Sequence, residues 1–152
     1  MSLETGQRVL LHAPNVHVGG GLVLLQRLLD SSVRRFQWAQ LDLRVQNSVF
    51  HPVAMLVSYV RRSVSSRMLA EWRLWRECRA GDVVLCFHGL PPLLPVRGRV
   101  VVFVQNRLLI EHGSLAEYPR WVRARLWTER LLSRALQGRC SRYIVQTPSM
   151  AA

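Results

Sequence analysis

The sequence predicts an α/β fold in which a parallel sheet is covered by helices on both faces. Short, continuously apolar runs such as Val83–Phe87 and Arg99–Gln105 recur along the chain, and amphipathic helical patterns alternate with them. Glycine and proline mark the joins, as at Gly81, Pro91, Pro92 and Gly138. Strands buried on both faces read as unbroken apolar runs, and strand–helix alternation is what a parallel sheet requires.

In chain order, Arg8–Ala13 reads as a buried strand. The loop PNVHVGGG follows, then a helix carrying Leu22, Leu25, Leu28 and Leu29 on one face. A second strand is expected over Gln40–Val45, where Asp42 and Arg44 alternate with Leu41, Leu43 and Val45. The run VAMLVSYV fits strand or helix, whereas Ser66–Cys78 has Met68, Leu69, Trp72 and Trp75 at helical spacing. Val83–Phe87 and Arg99–Gln105 are the next two strands, separated by a loop that Pro91, Pro92 and Pro95 enforce. A long helix is expected from Pro119 to Gln137, stopped at Gly138, and a last strand over Tyr143–Gln146.

The chain of 152 residues suits one domain with a real core. Its basic residues, all arginine, number 21 against 9 acidic ones, a formal net charge of +12. Such a field favours anionic partners: phosphorylated sugars, lipid pyrophosphates, anionic headgroups or nucleic acid. Cys78, Cys86 and Cys140 are odd in number and lack metal-ligand spacing, which fits a reducing compartment. The N-terminus lacks a signal-peptide pattern and no stretch of the sequence is apolar for long enough to span a bilayer, so any membrane contact is expected to be peripheral.

In a parallel sheet, ligands bind beyond the carboxyl ends of the strands. Asn15, His17, Gly19, Gly20, Gly21, His88, Gln105, Asn106, Arg107, Gln146 and Thr147 all follow strands in this reading and should meet at one edge. Three glycines between strand and helix let the backbone approach a phosphate, which the N–H groups and helix dipole stabilise. A steric turn is the plainer alternative. His17 and His88 suit a sugar hydroxyl or a phosphate, or proton transfer near neutral pH, whereas His12, inside its strand, reads as a packed residue. Gln105, Asn106 and Arg107 offer amide donors and acceptors and a guanidinium fork, against the alternative of a solvated turn.

On the Pro119 helix, Arg120, Arg123, Trp127, Arg130 and Arg134 share one flank, and Val122, Leu126, Leu132, Ala135 and Leu136 the other. A tryptophan among arginines suits an anionic membrane interface, although a solvated face is the commoner explanation. Arg125 and Glu129, four apart, read as a helix-stabilising pair. Asp42 lies at a ribose-contact distance from the glycines, but Leu24 stands where a dinucleotide fingerprint needs its third glycine. No metal-binding, hydrolase, helix-turn-helix, zinc-finger or RNA-binding signature is present in the sequence.

Three segments, LLHAPNVHVGGGLVLLQRLL, GDVVLCFHGLPPLLPVRGRVVVFVQN and SRYIVQTPSMA, together resemble the family 4 glycosyltransferases of GT-B architecture, in that family's order. The resemblance implies that residues 1–152 form one Rossmann-like N-terminal domain on the acceptor side, with a C-terminal donor-binding domain expected to follow. It implies a retaining, metal-independent transfer from a nucleotide-sugar donor to a saccharide or lipid-linked acceptor, in polysaccharide or glycoconjugate synthesis. Beside it, the residues themselves lead us to expect a cytoplasmic enzyme with no cofactor and no nucleic-acid partner, and the arginine-rich helix would suit work at the inner face of the membrane. Gly19, Gly20 and Gly21 would approach the donor phosphates, and Asn15, His17, His88, Gln105, Asn106 and Arg107 would line the cleft. No residue is implied as a catalytic base. Many relatives carry a histidine where this chain has Gln105 and Asn106. The rival readings are a nicotinamide-dinucleotide enzyme using the glycines and Asp42, and a nonenzymatic basic module that binds nucleic acid.

Overall fold

The computed structural model describes residues 7–31, 36–49, 55–105 and 117–146. Its elements are β1 (Val9–Ala13), α1 (Gly19–Ser31), β2 (Phe36–Asp42), β3 (Leu56–Val60), α2 (Val64–Glu77), β4 (Val83–Cys86), β5 (Arg99–Val104), α3 (Arg120–Leu136) and β6 (Arg142–Val145). The six strands form one sheet in the order β3-β2-β1-β4-β5-β6, with every neighbouring pair parallel. This is a Rossmann-like α/β arrangement. The strand order reverses between β1 and β4, and a crevice opens at that point beyond the strand ends.

Alternation along the strands sorts the core into two layers. Val9, Leu11 and Ala13 of β1 face Leu25 and Leu29 of α1, with Ala39, Leu41 and Phe87 in the same cluster. Leu10, Val84, Cys86, Val100 and Val102 form the opposite layer with Leu74 and Cys78 at the end of α2. The central strands β1 and β4 are buried along nearly their whole length because both of their sides are covered, whereas the edge strands β3 and β6 are more exposed.

At the amino ends of the strands, Arg8 ties the sheet to α2. Its guanidinium donates to both Asp82 carboxylate oxygens, at 3.2 and 2.7 Å, and to Glu77 Oε1 and the Glu77 carbonyl, each at 3.0 Å. Burial raises the Asp82 pKa, but bonds from Arg8 and from the Arg79 amide outweigh it and the net shift is downward.

One expectation from sequence needs correction, and the two expected helices α2 and α3 expose apolar residues that their spacing grouped together. The second strand begins at Phe36 and ends at Asp42, whose carboxylate accepts from the Arg44 amide and turns Leu43–Val45 into a 3₁₀ helix. That side-chain cap breaks the alternation that had suggested a strand to Val45. On α2 the buried face is Ala70, Glu71 and Leu74, while Met68, Leu69, Trp72 and Trp75 are at least two-fifths exposed. On α3, Leu126 and Leu136 are buried and Val122 and Leu132 half-buried, but Ala135 is exposed. The ambiguous run before α2 is a strand at Leu56–Val60.

Candidate functional site

Beyond the carboxyl ends of β1, β4 and β5 lies a hollow of about 270 Å³ lined by Asn15, His17, Gly21, His88, Gln105, Arg125 and Glu129, among others. Five of the residues singled out from sequence therefore share one surface, at the strand-order reversal. Gly19 and Gly20 open α1 beside it, whereas Asn106, Arg107 and Thr147 lie outside the described residues. Arg120, Arg123, Trp127, Arg130 and Arg134 all lie on α3, and none of them lines the hollow.

The three glycines do different work. Gly19 has φ of +65°, a conformation that favours glycine, and lets the loop turn into α1. At Gly20 the space a side chain would occupy is open. A Cβ at Gly21 would run into the Gln105 carboxamide. Gly21 is thus a close-approach position, and Gln105 is held there by donating Nε2 to the Phe87 carbonyl at 3.0 Å. The first-turn amides of α1 have no partner inside the helix, and the adjoining backbone is uncovered, which suits an anion at this rim.

Beneath the hollow, β1, β2 and α2 bring together a buried polar cluster. Gln40 Nε2 donates to the Ala70 carbonyl at 2.9 Å, so its Oε1 faces His12 Nδ1 at 2.7 Å. Nδ1 must then carry a proton, an assignment that follows from the network. His12 Nε2 lies 3.4 Å from Glu71 Oε1, an ion-pair distance without hydrogen-bond geometry, so it is buried with no hydrogen-bond partner among the described residues. The unpartnered Nε2 and the Glu71 carboxylate face one another across this gap inside the protein. Glu71 Oε2 accepts from the Leu93 amide at 2.8 Å, which fastens the proline loop over the sheet. Burial pushes the Glu71 pKa up, but the neighbouring His12 and the Leu93 amide hold it below its ordinary value.

His88 joins this cluster to the hollow. Its ring lies edge-on to His12 with centroids 5.0 Å apart, and its Nδ1 makes a long 3.4 Å contact with the His12 carbonyl. A carbonyl only accepts, so Nδ1 carries the proton and Nε2 keeps its lone pair. Burial first, and then the charge of His12, push the His88 pKa down to about 3, so this imidazole is neutral at pH 7. His17 Nδ1 lies 3.2 Å from the Asn15 carbonyl, which braces the loop before α1. Arg125 Nε donates to Glu129 Oε1 at 2.8 Å, the pairing their spacing suggests, and the pair forms one wall.

Glu71 escaped sequence reading because the Met68–Trp75 pattern drew attention to the other face of α2. A carboxylate in the Ala70–Leu74–Cys78 stripe was the available signal, since a buried carboxylate needs a partner. His12, read as packed, is buried as expected, but within a polar network. Asp42 is engaged elsewhere: it accepts from Arg44 Nε and Nη2 at 2.9 and 2.7 Å, and Arg67 Nη2 lies at 3.9 Å. Among the described residues no group of three or more His, Cys, Asp or Glu side chains could hold a metal ion.

The fold and the hollow define a doubly wound α/β protein with a polar crevice at its topological switch point. No protein-family model, curated protein or solved structure matches the chain.

Proposed function

We propose that the chain is the acceptor-side domain of a nucleotide-sugar-dependent glycosyltransferase of the GT-B type. The observation that carries this reading is the meeting of Asn15, His17, Gly21, His88 and Gln105 around one hollow at the strand-order reversal. The chemistry offered there is selective. A neutral His88 presents a lone pair, and Gln105 a carboxamide, to hydroxyl groups; the α1 amides present N–H donors to a phosphate. A sugar beside a diphosphate needs both sets. Catalysis on this reading comes from positioning and from stabilising charge on the departing nucleotide diphosphate.

The nicotinamide reading is less well supported. Its ribose contact would fall to Asp42, which is 1% exposed and already bonded to Arg44. Calorimetric titration of the protein with a nucleotide sugar, the matching nucleotide diphosphate, NAD and a single-stranded RNA separates the three readings. Binding of the first two, weakened by His88→Ala and Gln105→Ala, is expected. Tighter binding of NAD or RNA that ignores both substitutions would contradict the proposal.

A further inference from the structure

The outer face of α3 is built unlike a solvated helix. Leu126 and Leu136 are buried, whereas Trp121 is 71%, Trp127 64% and Leu131 51% exposed. Trp121, Ala124, Thr128, Leu131 and Ala135 are spaced i, i+3, i+4 and are all exposed, so they form one weakly polar stripe along the helix. Trp127 stands at the border of that stripe, beside exposed Arg120, Arg123 and Arg134. The helix holds five arginines and one glutamate, and that glutamate, Glu129, is paired with Arg125 at the wall of the hollow. The outward face therefore carries aromatic, aliphatic and cationic groups without an acid.

We propose that this face of α3 docks on an anionic lipid bilayer, with the helix lying in the plane of the interface. Indole rings settle at headgroup level, aliphatic side chains enter the acyl boundary, and arginines beside them meet lipid phosphates. The formal charge of +12 supplies attraction of the right sign. Leu131, Ala124 and Ala135 favour lipid over nucleic acid, because they offer nothing to a phosphate backbone or a base edge. None of the helices of the described residues is long and apolar enough to cross a membrane, so the contact is one of surface attachment. Arg125 and Glu129 belong to the same helix, so docking would hold the hollow within a helix diameter, about 10–12 Å, of the bilayer surface. The docking does not depend on the transferase reading.

The test is flotation of the protein with vesicles of 30% phosphatidylglycerol in phosphatidylcholine, against pure phosphatidylcholine, in physiological salt. Binding to the anionic vesicles alone is expected. The Trp121→Ser/Trp127→Ser double variant should weaken it by about tenfold or more. The Arg120→Gln/Arg123→Gln/Arg134→Gln triple variant should weaken it by roughly a hundredfold. All five positions are exposed, so melting curves should match the parent, and Trp75→Ser on α2 should bind as the parent does. Absence of binding to anionic vesicles would overturn the proposal. So would binding that both α3 variants retain, or displacement of the vesicles by a 20-nucleotide RNA at equal phosphate concentration.

Discussion

At the residue scale, the candidate site turns on protons and close approaches. His88 is held neutral by burial and by the charge of His12, to a pKa of about 3. A histidine with a depressed folded pKa contributes stability that is complete above its unfolded value of about 6.5 and declines as pH falls toward the folded value. Glu71, also depressed, contributes stability present above its unfolded value and lost as pH falls through the folded one. The melting temperature should therefore fall between pH 7 and pH 5, and His88→Gln should flatten that slope; an unchanged slope would show that His88 takes no part. The glycines separate by role. Gly19→Ala must adopt positive φ and should cost about 1–2 kcal/mol by denaturant unfolding. Gly21→Ala should displace the Gln105 carboxamide and weaken ligand binding more than stability. The glycines were legible in the sequence as a loop, but not which one meets Gln105, because that neighbour arrives from a strand 84 residues later.

At the element scale, the sequence shows most of what burial determines. The predominantly apolar runs form β1, β4 and β5, and α1 buries Leu25 and Leu29 of its expected face. Reading failed where side-chain bonding overrode periodicity. Asp42 caps a 3₁₀ turn inside what looked like an alternating strand, and α2 turns Glu71 inward while leaving Trp72 and Trp75 at the surface. The joint between α2, β4 and β5 is the most constrained part of the frame. A Cβ at Gly98 would stand 2.5 Å from the Asp82 carbonyl oxygen and 2.8 Å from Cys78 Sγ. Backbone cannot yield there cheaply, so Gly98→Ala should destabilise the protein by about 1–3 kcal/mol in chemical unfolding. Arg8→Ala removes both charged bonds to buried Asp82 and should cost about 2 kcal/mol. Arg8→Lys should recover only part of that loss, because an ammonium cannot reproduce the two-pronged contact.

At the scale of the whole molecule, strand order gathers residues far apart in sequence. Asn15 and His17 follow β1, His88 follows β4 and Gln105 follows β5, and these strands are neighbours in the sheet. That convergence was readable once the strands were recognised as parallel, because each parallel strand delivers its carboxyl end to the same edge. The Glu71–His12–Gln40 cluster beneath was not, since its members come from three elements whose facing sides only packing decides. The central claim is that the hollow holds a sugar beside a phosphate. Amide-resolved NMR of the protein titrated with a nucleotide sugar tests it most directly. The account predicts that the signals of Gly20, Gly21, His88 and Gln105 shift together and saturably, and that His88→Gln abolishes the effect. Shifts confined to the separate hollow around Trp38 and Trp72, or none at saturating ligand, would contradict it.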